Sequence, residues 1–237
     1  MYAALRGLLA ERGYATGLGD EGGFAPQSSE PEEALELLAT AISNAGYQPA
    51  RDGVAIALDP AASEFRRDDG RYHVAGKALT SDEMIERYTE IISRFPVWLL
   101  EDGLAEEDWD GWAKLTARLG ERVQLVGDDI FVTNPKIIAD AIERRVANAA
   151  LIKVNQIGTV TQTLEAMAVC RGGGYGQFVS HRSGETTDTF IADLTVGSGC
   201  GELKTGAPAR GERVAKYNRL MQIAAAQPGL PYGLAGP

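Results

Sequence analysis

The chain has 237 residues, of which 44% are hydrophobic and 24% charged, and its formal net charge is −10 at pH 7. This length and composition are typical of a large globular α/β domain with a sizeable core, and the negative charge argues against nonspecific binding of nucleic acid. No run approaches the roughly 20 apolar residues of a membrane span, and the N-terminal segment lacks the pattern of a secretory signal. We therefore expect a cytoplasmic protein whose two cysteines, Cys170 and Cys200, are buried free thiols.

The N-terminal segment predicts two helices joined by a loop. An amphipathic helix should end at Gly13, and the glycines and proline of GLGDEGGFAP (17–26) exclude regular structure. A second helix should begin at Ser29 or Glu30, because Pro31 suits the first helical turn and apolar residues recur at helical spacing after it.

The next segment predicts a strand, a hairpin and a third helix. VAIALD (54–59) is apolar without alternation, as in a strand that is covered on both faces. Asp69-Gly70 is a hairpin signal within the polar stretch that follows. A strongly amphipathic helix should then run from Ser81, as its N-cap, to Phe95.

The rest of the chain alternates regularly between predicted strands and helices. The strands lie near 97–101, 123–127, 149–153, 176–180 and 201–204, and the helices near 107–119, 135–145, 158–171, 188–198 and 210–225. Each apolar run, VAIALD included, ends at a polar residue: Asp59, Glu101, Asp128, Lys153, His181 and Lys204. Six such units predict an α/β fold, an incomplete (β/α)8 TIM-type barrel of about six parallel strands in one domain, 1–237. Functional residues of such barrels lie at the C-terminal ends of the strands.

Three of these strand-end residues are carboxylates, Asp59, Glu101 and Asp128. Adjacent carboxylates repel one another unless a cation neutralises them. An all-oxygen ligand set favours Mg²⁺, with Mn²⁺ second. The alternative is that they are helix caps and strand-end salt bridges. Lys153 follows the next strand and is a candidate general base, or else a structural partner of these acids.

Two further segments carry candidate ligand-binding residues. SHRSGE (180–185) places His181, Arg182 and Ser183 between a strand and a helix, where they form a candidate phosphate or carboxylate site. Glu21 lies among glycines in GDEGG (19–23), where a carboxylate could act as an acid over the barrel mouth, although acidic glycine-rich turns are common. We interpret His73 as a surface histidine.

These segments resemble enolase, or phosphopyruvate hydratase. The matching stretches occur in family order: GDEGGFAP, LDPAASEF, EDGLAEEDWDGW, LVGDDIFVTNP, LIKVNQIGT, SHRSGETTDTFIADL and KTGAPARGERVAKYN. The resemblance implies Mg²⁺-dependent, reversible dehydration of 2-phosphoglycerate to phosphoenolpyruvate in glycolysis. It also implies a homo-oligomer for the full-length family protein and a surface or secreted pool beside the cytoplasmic one.

The resemblance also implies a role for each candidate residue. The metal ligands are Asp59, Glu101 and Asp128. The base that removes the C2 proton is Lys153, and the acid that helps the C3 hydroxyl leave is Glu21. The substrate-binding residues are His181, Arg182, Ser183 and Lys204.

The chain departs from the family pattern in three places. Pro60 follows Asp59 where the family usually has another small residue, and the tail from Ala224 differs from the family tail. The resemblance implies that the N-terminal domain and the first two barrel strands of an enolase are missing. Three hypotheses therefore stay open: an active hydratase, an inactive enolase fragment or interaction protein, and a related racemase or cycloisomerase.

Overall fold

The computed structural model of the chain describes residues 1–28 and 30–233. Its helices are α1 (Tyr2–Glu11), α2 (Pro31–Asn44), α3 (Ser81–Arg94), α4 (Trp109–Leu119), α5 (Pro135–Arg144), α6 (Val154–Ile157), α7 (Val160–Gly172), α8 (Phe190–Ser198) and α9 (Gly211–Ala226). Its strands are β1 (Ile56–Leu58), β2 (Tyr72–Val74), β3 (Lys77–Leu79), β4 (Val97–Glu101), β5 (Gln124–Gly127), β6 (Ala149–Ile152), β7 (Gly176–Ser180) and β8 (Glu202–Lys204). A short 3₁₀ helix covers Ala62–Phe65.

Six strands form one parallel sheet in the order β1-β4-β5-β6-β7-β8, and β2 and β3 form a separate antiparallel pair. The sheet curls into a partial barrel, so the predicted incomplete TIM-type barrel is confirmed. Neighbouring strands end level with one another: Glu101 pairs with Val126, and Ser180 pairs with Lys204. The side chains that follow these strand ends are therefore delivered to one rim.

The core lies between the sheet and the helices that surround it. Trp112 of α4 is fully buried, and its indole N–H donates to the carbonyls of Leu104 and Ala105 at 3.1 and 3.2 Å. A second cluster, formed by Leu99, Val126, Ala149 and Leu151, joins residues of neighbouring strands on the opposite face of the sheet. Burial on both faces explains why the strands read as continuous apolar runs.

Two turns between antiparallel segments follow the 3₁₀ helix, one at Asp69-Gly70 and one at Ala75-Gly76. The turn between β2 and β3 is Ala75-Gly76, both with positive φ (48° and 72°), as two-residue hairpin turns require. Asp69-Gly70, the predicted turn, lies between Arg66 and Tyr72, which form an antiparallel bridge, and the Gly70 N–H donates to the Arg67 carbonyl at 2.8 Å. The predicted turn is therefore confirmed, and the turn at Ala75-Gly76 is a second one that was not predicted.

The N-cap of helix α3 lies one residue earlier than predicted. Thr80 is the N-cap, and its hydroxyl and the Glu83 carboxylate form a reciprocal capping box. The Ser81 hydroxyl instead donates to Asp108 Oδ2 at 2.5 Å. At the start of α2, Glu30 is the N-cap before Pro31, and Ser29 lies outside the described residues.

The hairpin braces the loop that follows β4. Tyr72 is fully buried, its hydroxyl donates to Asp108 Oδ2 at 2.7 Å, and it accepts the Ala105 N–H at 3.1 Å. Asp108 is also the N-cap of α4, where it accepts the Gly111 N–H at 3.1 Å. One tyrosine thus ties the hairpin to the loop between β4 and α4.

Both cysteines are buried free thiols, as predicted. Within residues 1–28 and 30–233, no helix is both long and apolar enough to cross a membrane.

Candidate active site

The three strand-end carboxylates lie at the same rim with very different exposure. Asp59 directly follows β1, Glu101 ends β4 and Asp128 follows β5. The Glu101 side chain is 2% exposed and that of Asp128 is 9% exposed, whereas Asp59 retains 39%. Burial would therefore destabilise the ionised forms of Glu101 and Asp128 unless each has a positively charged partner.

Lys204, the last residue of β8, bridges two of these carboxylates. Its Nζ lies 2.7 Å from Asp59 Oδ2 and 2.8 Å from Glu101 Oε1. Burial disfavours the charged lysine, but the two carboxylates outweigh it, so the pKa of Lys204 is raised. Burial, together with the Asp59 charge, raises the pKa of Glu101 to about 8, and Lys204 only partly opposes this. Lys204 alone therefore does not neutralise the two carboxylates at this part of the rim.

Lys153 pairs with the third carboxylate. It follows β6, and its Nζ donates to Asp128 Oδ2. Gln156 of α6 donates to Oδ1 of Asp128 at 3.2 Å. The hydroxyl oxygen of Thr133 accepts a hydrogen bond from the Lys153 backbone N–H at 2.9 Å. The lysine side chain is only 15% exposed. At this rim, the ammonium groups of two lysines therefore face three carboxylates.

The donor set of the rim suits a hard divalent cation. Asp59, Glu101 and Asp128 contribute only carboxylate oxygens, which Mg²⁺ and Mn²⁺ prefer. When all three are ionised, as they would be around a bound cation, their summed charge of −3 exceeds the +2 of the two lysines, and the Asp128 charge also reaches Glu101. The residues present therefore fit such an ion.

A second acidic group, formed by Asp102, Asp128 and Asp129, brings its carboxylate oxygens within 4.8 Å of one another and could also hold a metal ion. Asp102 is buried and accepts the backbone N–H groups of Asp128 at 2.9 Å and Asp129 at 3.1 Å. Burial raises its pKa to about 7, although these two bonds lower it. Asp102 therefore orients the loop that carries Asp128. This role does not depend on which of the carboxylate oxygens would bind a metal ion. Asp102 was not predicted as a functional residue, because an acid directly beside another acid gives no sequence signal of its own.

The Glu21 loop is packed against the segment after β8. The Ala207 N–H donates to the Glu21 carbonyl at 2.9 Å. At Gly22, where φ is +80°, an added Cβ would lie 2.6 Å from the Ala209 carbonyl oxygen. Only glycine fits both this backbone conformation and this contact. The glycines of GDEGG thus allow a close approach that places Glu21 near β8.

Glu21 faces His181, the residue after β7. Its Oε2 lies 3.2 Å from Nε2 of the histidine, which is 2% exposed. Hydrogen bonding from His181 lowers the pKa of Glu21 more than burial raises it, and Lys204 and Arg213 lower it further. The structure therefore brings together a predicted acid and a predicted substrate-binding histidine.

Arg182 and Ser183 lie in a loop and not at a helix N-terminus, because α8 begins only at Phe190. The Arg182 guanidinium donates to Asn155 Oδ1 at 2.9 Å, and Ser183 is exposed. Both side chains can therefore be reached from solvent. His73 is a surface residue, as predicted, and contacts Asp69 at 2.9 Å.

Two buried cations of α9 hold this loop, and the sequence analysis did not single them out. Arg213 is fully buried, and Lys216 is 1% exposed. Lys216 donates to the carbonyls of Thr186 and Glu212 and lies 3.6 Å from Glu185. Their three-residue spacing puts them on one helix face, but charged residues at this spacing usually mark a solvated face.

A curled sheet of parallel strands, enclosed by helices and carrying carboxylates and lysines at its C-terminal rim, defines a TIM-type barrel protein. The family model "Enolase, C-terminal TIM barrel domain" matches residues 1–228. The chain is 58% identical over 222 residues to the enolase of Acidothermus cellulolyticus, a match that covers 94% of this chain and 51% of that protein.

Two further relatives agree with this match. The enolase of Rubrobacter xylanophilus is 56% identical over 238 residues, covering 97% of this chain and 55% of that protein. The enolase of Mycobacterium leprae is 56% identical over 223 residues, covering 94% and 52%. The chain belongs to the enolase family, and it spans about half the length of these relatives.

Proposed function

We propose that residues 1–237 form a barrel domain that carries the reaction centre of a Mg²⁺-dependent phosphopyruvate hydratase, a lyase that interconverts 2-phosphoglycerate and phosphoenolpyruvate in glycolysis. The observation that carries the proposal is the rim itself: three carboxylates and two lysines meet there in a member of the enolase family. The full-length protein would act in the cytosol as a homo-oligomer.

We assign the metal site to Asp59, Glu101 and Asp128. A bound Mg²⁺ would supply positive charge beside the substrate carboxylate while negative charge accumulates there. Lys204 adds a fixed positive charge at the same place, and its contacts with Asp59 and Glu101 support this assignment. Asp102 holds the backbone at Asp128 and is a positioning residue.

Lys153 is the proposed base that removes the C2 proton. Its stem is buried and its ammonium group is held by Asp128, so the side chain is oriented before substrate binds. Proton transfer requires Lys153 to be neutral when substrate is bound.

Glu21 is the proposed acid that protonates the departing C3 hydroxyl. The pKa of Glu21 is lowered by His181, which suits the reverse direction, where the carboxylate takes a proton from the attacking water. In the forward direction Glu21 must carry a proton. The negative charges of a bound phosphorylated substrate would raise its pKa and so favour the protonated form.

His181, Arg182 and Ser183 are the proposed substrate-binding residues around the phosphate. An arginine offers two parallel donors to a phosphate, and a serine hydroxyl adds a third. Ser183 is exposed and Arg182 is half-buried, so solvent and ligand can reach both donors. The backbone of Arg182 and Ser183 is held in place by Arg213, which donates hydrogen bonds to the carbonyls of both residues.

Conversion of 2-phosphoglycerate in the presence of Mg²⁺ tests the proposal. Because the chain spans half of its relatives, it should be assayed alone and as a chimera with the part of the A. cellulolyticus enolase outside the matched region. Phosphoenolpyruvate formation should fall at least about 10³-fold in Lys153→Ala, because general base catalysis and substrate positioning are both lost. Lys114→Ala is the matched control, because Lys114 is exposed and contacts only Asp82 among the described acidic residues.

Each outcome has a distinct meaning. An active chimera and an inactive isolated chain would support the residue assignments and show that the chain alone is not competent. Turnover of an unphosphorylated carboxylic acid, with none of 2-phosphoglycerate, would favour a racemase or cycloisomerase. A chimera that is folded, binds Mg²⁺ and does neither would contradict the proposal.

A further inference from the structure

The fully buried side chain of Arg213 connects three segments of the candidate active site. Its Nη1 donates to His181 Nδ1 at 2.5 Å and to the Arg182 carbonyl at 2.7 Å. Its Nη2 donates to the Ser183 carbonyl at 2.6 Å and to the Asp20 carbonyl at 3.2 Å. The loop after β7 and the loop that carries Glu21 therefore meet at a single guanidinium group.

These acceptors are unusual for a buried cation because none of them is a carboxylate. Within residues 1–28 and 30–233, Arg213 makes no salt bridge, and its partners are three carbonyls and one imidazole nitrogen. A buried charge that is held only by neutral acceptors is costly.

The contact determines where the proton of His181 lies. A guanidinium group can only donate hydrogen bonds, whereas a neutral imidazole has one donor nitrogen and one acceptor nitrogen. Since Nδ1 accepts from Arg213, the proton must be on Nε2. That atom is buried, has no well-aligned partner among the described residues, and faces Glu21 Oε2 at 3.2 Å.

We propose that Arg213 is a positioning residue that keeps Nδ1 of His181 unprotonated, so that His181 presents an Nε2–H donor to Glu21 and to the substrate. The opposite tautomer would turn a lone pair towards the Glu21 carboxylate, and the two would repel. The catalytic part of this inference rests on the proposed function, but the tautomer is a property of the chain itself.

Nitrogen-15 NMR of histidine-labelled chain tests the inference without an activity assay. The chain has two histidines, so two ring systems are observed, and the exposed His73 serves as an internal reference. In the wild-type chain, at one mildly alkaline pH, the His181 shifts should report an unprotonated Nδ1 and a protonated Nε2. A protonated Nδ1 in the wild type would overturn the proposal, whatever the variants do.

Arg213→Met then tests the cause. Without the guanidinium donor, Nδ1 of His181 should become protonated in a measurable fraction of molecules, through the second tautomer or through an imidazolium paired with Glu21. Arg219→Met is the matched control on the same helix, because Arg219 pairs with Asp193 and does not contact His181. It should lower stability while the His181 shifts stay unchanged.

If Arg213→Met does not fold, Arg213→Lys provides a second test. A lysine keeps the positive charge but lacks the planar group that contacts His181 and the loop carbonyls together, so partial protonation of Nδ1 is expected. Wild-type shifts in any folded Arg213 variant would overturn the proposal. An inactive chimera with the expected shifts would count against the proposed function alone.

Discussion

Tyr72→Phe removes one hydroxyl from the brace between the hairpin and the loop after β4, and keeps the buried ring. The hydroxyl donates to the Asp108 carboxylate, a bond worth about 1.5–3 kcal/mol because its acceptor is charged. It also accepts the buried Ala105 N–H, and leaving that donor unsatisfied costs about 1–3 kcal/mol. Asp108 keeps its bonds from Ser81 and Gly111, so we expect a total loss of about 3 kcal/mol.

Urea unfolding measures this loss as a lower midpoint at unchanged slope. For a domain of this size the same loss lowers Tm by about 6–12 °C. Tyr47→Phe is the matched control, because Tyr47 is 56% exposed, and it should stay within about 0.5 kcal/mol of wild type. A difference between the two variants of less than about 1 kcal/mol would refute the reasoning, since the buried N–H would then have found another acceptor.

Three further predictions concern the barrel interior, the Glu21 loop and the thiols. Burial raises the pKa of Glu202, although hydrogen bonds from Gln124 and Trp98 lower it, so wild-type stability should decline as pH rises from 4.5 through the raised value. Glu202→Gln should make that decline shallower in urea titrations across pH and leave the part that comes from Glu101 and Asp102, whose pKa values are also raised; a parallel profile would contradict the assignment. Gly22→Ala should reduce both the stability of the chain and the activity of the chimera. Gly13→Ala is the control, because Gly13 has a similar φ of +78° but open space around it. It should cost only about 1 kcal/mol of backbone strain and leave activity unchanged. Burial raises the pKa of Cys170 to about 12, so a thiol reagent should label it only after unfolding, and rapid labelling of the native chain would show that it is accessible.

The strand-end residues could be predicted from the sequence because the apolar runs are short and end abruptly. A parallel sheet buried on both faces forces each run to stop where the chain meets solvent. The apolar runs therefore predict that Glu101 and Lys204 lie at one rim, and the structure brings them into contact. Cys170 and Cys200 were predicted correctly for a related reason, since both lie in apolar or glycine-rich surroundings.

The residues that the sequence did not reveal act through long-range packing. Arg213 is 193 positions from Asp20, and its amphipathic context gave no sign that it would be buried. Asp102 acts on backbone N–H groups 26 and 27 positions away. The turn at Asp69-Gly70 was predicted, whereas the turn at Ala75-Gly76 was not, because Ala-Gly is a weaker turn signal than Asp-Gly.

Exchange of the C2 hydrogen of 2-phosphoglycerate with solvent tests the central claim most directly, because it separates the base from the acid. With substrate deuterated at C2, NMR would follow loss of the label in the active form of the protein. We expect Glu21→Gln to keep exchange while phosphoenolpyruvate formation falls steeply, and Lys153→Ala to lose both. Exchange at the wild-type rate in Lys153→Ala would contradict the claim that the lysine at this rim is the base.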